Sequence, residues 1–159
     1  MNRFETLISR LPADLISELM ACTQDPLWHP EGDVYTHIRL VFEQAEKLFP
    51  GDNDLLVAAI FHDLGKPETR EVKLREDGTE KITNYGHEFK SLNYVDKYFH
   101  LYDDLTTDKN KILALVKGHM KAHQFSNGKL KKPSKREAFK ADQYFEDIMK
   151  FSKCDEMGR

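Results

Sequence analysis

Hydrophobic residues recur at helical spacing along most of the chain, which predicts a protein built mainly from α-helices. Near the N-terminus, Pro12 separates an apolar stripe over residues 4–11 from a second stripe over residues 15–20. Residues 25–33 then contain two prolines and a glycine, which is typical of a loop. The N-terminal part is therefore predicted to form a broken helical layer followed by a loop.

Two central segments have the clearest patterns. Residues 34–49 carry apolar side chains along one face of a predicted helix, and His37 lies beside that face. Residues 55–61 are apolar at every position, and a helix that is apolar all round is buried at the centre of a domain. Either Asp52 or Asn53 is suited to cap this central helix.

A different pattern covers residues 69–83, where apolar and polar residues alternate on both sides of Asp77 and Gly78. This alternation predicts a small β-hairpin or an ordered loop. A helix is expected next, over about residues 86–102, with Phe89 among the residues of its buried face.

The remaining segments again have helical spacing. An apolar run over residues 112–116 leads to His119 and His123, which are predicted to lie at or beyond the end of that helix. Ser134 and Glu137 have the spacing of a capping box, so one last helix is expected from there toward the C-terminus.

These elements predict one all-α domain over residues 1–159, a helical bundle with a small hairpin or loop insertion near residues 69–83. With 24 basic and 27 acidic residues the formal net charge is −3, which argues against strong bulk binding of nucleic acid. Two widely separated cysteines and the lack of an apolar targeting segment predict a soluble, unprocessed cytoplasmic protein with no membrane contact. The pattern leaves the oligomeric state open.

One local charge cluster departs from this balance, since residues 129–136 contain five cations. Such a run either contacts the backbone of a nucleic-acid substrate or forms a solvated loop. Because no aromatic residues alternate with the charges, as a base-stacking surface requires, the solvated loop is favoured.

Histidines dominate the candidate chemistry. Five of the seven lie at predicted helix ends or beside apolar stripes. They are His37, His62, His87, His119 and His123. His62 and Asp63 follow the central helix directly, and an imidazole beside a carboxylate suits Zn, Mn, Fe, Co or Ni better than a purely oxygen site does.

The order of these residues resembles that of the HD-domain metal-dependent phosphohydrolases, whose pattern is His, then His-Asp, then a distant Asp. The matching residues are His37, His62, Asp63 and Asp155. The chain is most similar to the HD domain of bacterial tRNA nucleotidyltransferases and poly(A) polymerase relatives, through five strings. They are His-Pro-Glu-Gly-Asp, His-Asp-Leu-Gly-Lys-Pro, Gly-His-Glu, the His-Met pair at residue 119 and the terminal Asp-x-x-Gly-Arg.

The nucleotidyltransferase domain of those enzymes has no counterpart in this sequence, so the resemblance implies only their hydrolytic activity. We therefore expect a phosphodiesterase, nucleotidase or phosphatase that acts on a nucleotide or RNA-end phosphate ester through a metal-activated water. The alternative is a non-catalytic HD module that binds a nucleotide or a protein partner and holds a structural metal.

The resemblance also implies the ligands. One divalent ion (Mn, Ni, Co, Fe, Mg or Zn) would be held by His37, His62, Asp63 and Asp155. His87 and His119, with Asp63 bridging, would hold a second ion, so one or two metals per chain are expected. His123 is either a further ligand, a residue that orients a ligand, or a surface residue.

Three charged residues have less certain roles. Lys66, together with Asp63, is a candidate for the catalytic machinery, as a cation that binds phosphate, or else is a solvated loop lysine. Arg159 either contacts phosphate or pairs with an acidic neighbour. Glu88 either orients His87 or transfers protons, or is a first-turn acid favoured by the helix dipole.

Three other residues complete the predictions for the site. His29 and His100 have no partner pattern and are predicted to lie outside it. Trp28, the single tryptophan, either covers the entrance of the site or packs against the protein.

Overall fold

The computed structural model describes residues 1–159 and is predominantly helical, which confirms the all-α prediction. The helices in chain order are α1 (Arg3–Ile8), α2 (Ala13–Ala21), α3 (Val34–Leu48), α4 (Asn53–Phe61), α5 (Lys66–Thr69), α6 (His87–Tyr98), α7 (Lys109–Ser126), α8 (Pro133–Lys140) and α9 (Phe145–Met157). A 3-10 helix, Phe99–Leu105, follows α6, and two strands, β1 (Glu71–Leu74) and β2 (Glu80–Thr83), lie between α5 and α6. None of these helices combines the length and the apolarity that crossing a bilayer requires.

Helix α4 is the centre of the fold, as its sequence predicts. All residues over positions 55–61 are buried, and the helix packs against α3, α6, α7 and α9. Asp52 is the residue that caps it, since its Oδ1 accepts a hydrogen bond from the backbone N–H of Leu55 at 3.2 Å. The side chain of Asn53 instead donates to the carbonyl of Leu105 and ties α4 to the 3-10 helix.

The predicted hairpin is present as an antiparallel pair of strands in which Val72 lies opposite Ile82. Its turn uses Gly78 at a φ of +84°, a conformation that glycine adopts without steric cost. Val72 and Leu74 are exposed and Ile82 is buried. The hairpin therefore adds little to the main core.

The prediction for the buried face of α6 is wrong at Phe89, which is 57% exposed. The buried residues of α6 are His87, Ser91 and Val95, which follow one another at intervals of four. Phe89 lies two residues from both His87 and Ser91, which places it about 200° around the helix from each of them. A histidine and a serine therefore define the buried face where the sequence analysis expected a phenylalanine.

The predicted position of His119 and His123 relative to their helix is also wrong, because α7 continues past both residues to Ser126. Gly118 does not end the helix. A Cβ at Gly118 would lie 3.0 Å from the Cδ1 of Ile148 in α9, so the glycine allows α7 and α9 to approach closely. His119 consequently projects from the middle of a long helix.

The C-terminal segment forms two helices, α8 and α9, where the sequence analysis predicts one. The capping box is wrong as well, since Ser134 lies inside α8 and no side chain caps that helix. Pro133 occupies the first turn, where its missing N–H has no helical partner to lose. The chain turns between the two helices at Asp142, whose Oδ1 accepts from the backbone N–H of Tyr144.

Gly65 allows the chain to turn out of α4 against α6. A Cβ at this position would lie 2.5 Å from the carbonyl oxygen of His87 and 2.8 Å from the backbone N of Ser91. The backbone N–H of Gly65 also donates to the Ser91 hydroxyl at 2.9 Å. Close packing at Gly65 thus fixes the distance between the segments that carry Asp63 and His87.

We predict that Gly65→Ala lowers the free energy of unfolding by about 1–3 kcal/mol, as expected of an overpacked core position. The backbone of Gly65 is in the right-handed helical region, so the added methyl group acts through its clash and not through a strained φ. Urea denaturation followed by circular dichroism measures the change. A variant as stable as the wild type would contradict the close packing of Gly65 against α6.

Candidate metal centre

The His62 and Asp63 side chains lie at the C-terminal end of α4, and both are fully buried. The Nδ1 of His62 lies 2.7 Å from the carbonyl oxygen of Ala59, one turn earlier in the same helix. This bond directs Nε2 away from α4 and toward the surrounding helices. The apolar helix α4 therefore positions an imidazole and a carboxylate next to each other in the interior of the domain.

Two more histidines repeat this local geometry. The Nδ1 of His87 bonds to the carbonyl of Asn84, and the Nδ1 of His119 bonds to that of Val116. In each case the acceptor is the carbonyl three residues earlier. A carbonyl oxygen only accepts hydrogen bonds, so Nδ1 of each ring carries a proton and donates it to the carbonyl. Nε2 is the nitrogen that remains to face the other side chains of the cluster.

Four imidazoles, those of His37, His62, His87 and His119, surround the carboxylate of Asp63. Its Oδ2 lies 3.4 Å from Nε2 of His37 and 3.2 Å from Nε2 of His62. Its Oδ1 lies 3.1 Å from Nε2 of His87 and 3.5 Å from Nε2 of His119. One carboxylate therefore has a different pair of histidines at each of its two oxygens.

Asp155, from α9, completes one side of this cluster. Its Oδ1 lies 2.8 Å from Nε2 of His37 and 3.3 Å from Nε2 of His62, and its Oδ2 lies 2.6 Å from Nε2 of His123. His123 therefore joins the cluster through Asp155. The Nδ1 of His37 is held at 3.1 Å by the carbonyl of Gly158, which follows α9 directly.

These side chains fit a divalent cation. Oδ1 of Asp63 and Nε2 of His62 are buried without a hydrogen-bond partner, which is costly unless something else satisfies them. Oδ2 of Asp63 is buried too, and the ammonium of Lys66 lies 3.0 Å from it. The Nε2 atoms of His87 and His119 lie 3.1 Å apart, and two lone pairs at that distance repel unless a proton or a cation lies between them. Ligand atoms fall within 4.8 Å of one another both in the group His37, His62 and Asp63 and in the group Asp63, His87 and His119.

The close contacts between carboxylates and imidazoles shift the pKa values of the groups in the cluster. Burial opposes the charged forms of Asp63 and Asp155, but the neighbouring imidazoles outweigh it and hold both pKa values well below the usual range. Burial likewise opposes protonation of His62, yet the two carboxylates raise its pKa to about 10. Burial and the adjacent imidazoles lower the pKa of His119, which keeps that ring neutral near pH 7.

The ammonium group of Lys66 lies inside the cluster, and the interpretation of Lys66 as a solvated loop lysine is wrong. Its side chain is buried, with Nζ 3.0 Å from Oδ2 of Asp63 and 2.6 Å from Oε1 of Gln24. Lys66 therefore places a positive charge directly beside the carboxylate that the histidines surround.

The other two charged candidates lie at the edge of the site. Arg159 is exposed and lines the same cavity as Asp63, and no acidic side chain pairs with it within 4 Å. Glu88 also lines the cavity, but the carbonyl of Asn84 bonds the Nδ1 of His87, so this hydrogen bond, and not one from Glu88, orients the ring. Glu88 lies in the first turn of α6, where the helix dipole favours an acid.

The prediction that His29 lies outside the site is wrong, because the fold brings it to the cluster together with Glu31 and Gln24, for which no role was predicted. His29 packs its ring edge-on against His37 at 5.0 Å between centroids, and its Nδ1 lies 2.6 Å from Oε1 of Glu31. Glu31 Oε1 lies 3.7 Å from Nδ1 of His37, and Gln24 contacts Lys66. The His-Pro-Glu-Gly-Asp string, on which the resemblance partly rests, contains His29 and Glu31 and was the signal that could have revealed them.

An open cavity of about 550 Å³ leads from the cluster to the surface. Its volume lies within the range of small-molecule sites. Of the cations in residues 129–136, Lys129 lines the cavity. Arg136 does not, because its guanidinium carbon lies over the ring of Phe125, 4.1 Å from the ring centroid. Trp28 also lines the cavity and remains 58% exposed, so it is not a packing residue.

Comparison with known protein families agrees with this geometry. The model of the HD domain matches residues 34–146, a span that includes His37, His62, Asp63, His87 and His119 but ends before Asp155. The chain therefore belongs to the HD-domain family. HD domains are typically metal-dependent hydrolases, and the buried His and Asp side chains of this chain are consistent with a divalent metal.

We predict that His119→Ala lowers bound metal by about one equivalent per chain, because it removes one of the two imidazoles beside Oδ1 of Asp63. Elemental analysis of the purified protein measures this loss. The matched control is His100→Ala, which removes an exposed histidine outside the cluster and should leave the metal content unchanged. An unchanged metal content in His119→Ala would contradict a second ion at Oδ1.

Proposed function

We propose that this protein is a divalent-metal-dependent phosphohydrolase that acts on a nucleotide or RNA-end phosphate ester. The observation that carries the proposal is the position of Asp63, a buried carboxylate with two histidine Nε2 atoms beside each oxygen. A carboxylate that bridges two cations is a common feature of sites that hydrolyse phosphate esters by in-line displacement. Membership of the HD-domain family supports the same class of reaction.

In this proposal the cluster would hold two divalent cations. His37, His62, Asp63 and Asp155 would hold the first, and His87 and His119, together with Asp63, would hold the second. His123 would orient Asp155 through its 2.6 Å contact. The set mixes imidazole and carboxylate ligands, which suits Mn, Fe, Co, Ni or Zn better than Mg.

Divalent cations in such a site, when bound, polarise the phosphoryl group and activate water as the nucleophile. The protein itself contributes orientation and charge. The backbone carbonyls fix the imidazoles, and Lys66 lies within 3.0 Å of Oδ2 of Asp63, where its ammonium can contact a phosphate oxygen. Arg159 at the cavity wall adds a second cation for the phosphate.

The similarity to the HD domain of tRNA nucleotidyltransferases supports the choice of a nucleotide or RNA end as substrate, and of phosphodiesterase, 2′-nucleotidase and phosphatase reactions. The alternative, a non-catalytic module with a structural metal, is disfavoured because none of the expected ligands is missing. Both cysteines are unpaired, which agrees with a reducing, cytoplasmic location.

One assay tests the activity. The protein is incubated with Mn, Ni, Co or Mg and with 2′,3′-cyclic nucleotides, 2′-AMP or an aryl phosphodiester. We expect hydrolysis with at least one metal. The His62→Ala, Asp63→Ala double variant should lose that hydrolysis, because each substitution removes one of the proposed metal ligands. His100→Ala is the control and should retain the activity. If wild type and double variant are equally inactive with every metal, the proposed enzyme activity is wrong.

A second variant tests Lys66. Lys66→Gln removes the charge beside Asp63 and leaves a side chain that can still hydrogen-bond, so we expect kcat/KM to fall about a hundredfold. Bound metal should stay at the wild-type level, because Lys66 supplies no ligand. Lys73→Gln, an exposed hairpin lysine outside the cavity, is the matched control. An activity equal to that of the control variant would exclude a catalytic role for Lys66.

A further inference from the structure

Two exposed aromatic side chains line the cavity that leads from the cluster to the surface. Trp28 belongs to the loop before α3, and Tyr85 belongs to the segment between β2 and α6. Their side chains are 58% and 74% exposed, and both line the cavity that contains Asp63. Large aromatic surface that faces a cavity and remains open to water is available to a ligand.

One buried carboxylate ties the two aromatic segments together. Oδ1 of Asp25 accepts from the backbone N–H of Leu27, and its Oδ2 accepts from the backbone N–H of Ile82 and from Arg75. The carbonyl of Asp25 accepts from the backbone N–H of Trp28. The loop that carries Trp28 is therefore bonded directly to the hairpin that precedes Tyr85.

The backbone beside Tyr85 is hydrogen-bonded in turn to residues of the cluster around Asp63. The side chain of Asn84 donates to the carbonyl of Lys66 at 3.0 Å. The carbonyl of Asn84 holds Nδ1 of His87 at 2.9 Å. Tyr85 follows Asn84 immediately, so the exposed ring is attached to backbone whose position is fixed by two residues of the site. Such attachment reduces the backbone entropy that this segment loses when a ligand binds to it.

We propose that Trp28 and Tyr85 bind the nucleobase of the substrate by stacking, which makes this site selective for nucleotides over phosphate esters without an aromatic ring. This inference rests on the proposed function, which places the phosphate ester of the substrate at the cluster around Asp63. Stacking on aromatic side chains is tolerant of base identity, because every base has a π face.

The charges of the cavity wall support an anionic ligand beside these rings. Lys81, Lys129 and Arg159 line the cavity, and none of them has an acidic partner within 4 Å. A planar ring that also carries phosphate is the ligand chemistry that uses both the aromatic and the cationic surfaces. A sugar phosphate or inorganic phosphate would leave both rings exposed to water.

Binding can be measured directly, because Trp28 is the only tryptophan in the chain and its fluorescence reports on this position alone. The wild-type protein is titrated with adenosine, 2′-AMP and ribose 5-phosphate, with excitation at the red edge of the tryptophan band. Adenosine and 2′-AMP should quench the emission in a saturable manner, and ribose 5-phosphate should not. Adenosine has no ester to hydrolyse, so its titration is independent of turnover.

Variants then test the second ring. Tyr85→Ala should weaken 2′-AMP binding about tenfold, or 1.4 kcal/mol, as expected for loss of one base-stacking contact. Tyr85→Phe should restore the affinity, because it keeps the ring. Leu27→Ala is the matched control, since Leu27 is 68% exposed and precedes Trp28 but does not line the cavity.

Each outcome bears on one proposal. Equal quenching by ribose 5-phosphate and 2′-AMP, no quenching by any nucleotide, or an unchanged affinity in Tyr85→Ala would overturn the base-binding role. Saturable quenching by adenosine in a protein that hydrolyses nothing would support base binding and reject the phosphohydrolase. Equal kcat/KM for 2′-AMP and a small aliphatic phosphate ester would reject base selectivity while leaving the phosphohydrolase in place.

Discussion

The buried carboxylate of Asp63 is the constraint on which the rest of the structure depends. An ionised carboxylate removed from water is costly unless nearby charges and ligands compensate for it. Lys66 pairs with one oxygen, and four imidazoles from separate elements surround both. The helices must therefore end, begin or pass within a few ångströms of this point, and the close packing at Gly65 and Gly118 allows them to do so.

A single local rule orients three of these imidazoles in three different helical settings. His62 follows the end of α4, His87 begins α6 and His119 lies within α7, yet each Nδ1 bonds to the carbonyl three residues earlier. Local backbone geometry thus decides which nitrogen faces the centre, and it does so without any other side chain. For that reason a substitution beside the cluster perturbs the position of a helix more readily than the tautomer of a ring.

The sequence contains enough information for the central helix and for the main side chains of the site. Residues 55–61 are apolar throughout, and the spacing of His37, His62, Asp63 and Asp155 has a recognisable order. It does not reveal whether Gly118 ends a helix or allows close packing, because this depends on Ile148 in another helix. His29 and Glu31 stand in the His-Pro-Glu-Gly-Asp string, but that string does not show which residue they contact; the folding of their loop brings them to His37.

The fold separates the candidate metal ligands from the aromatic side chains proposed to bind the base. The candidate ligands lie on or directly beside helices packed around α4, so their positions are set by the main core. Trp28 lies on the loop before α3, and Tyr85 lies in the segment that directly follows the hairpin. This loop and the hairpin contribute few core residues and are joined through the carboxylate of Asp25. The side chains of Trp28 and Tyr85 form no hydrogen bond with the candidate ligands, so a substitution of either ring can change the aromatic surface while the backbone contacts of Asn84 with Lys66 and His87 stay in place. Such substitutions are therefore expected to alter substrate preference more than the proposed hydrolytic reaction.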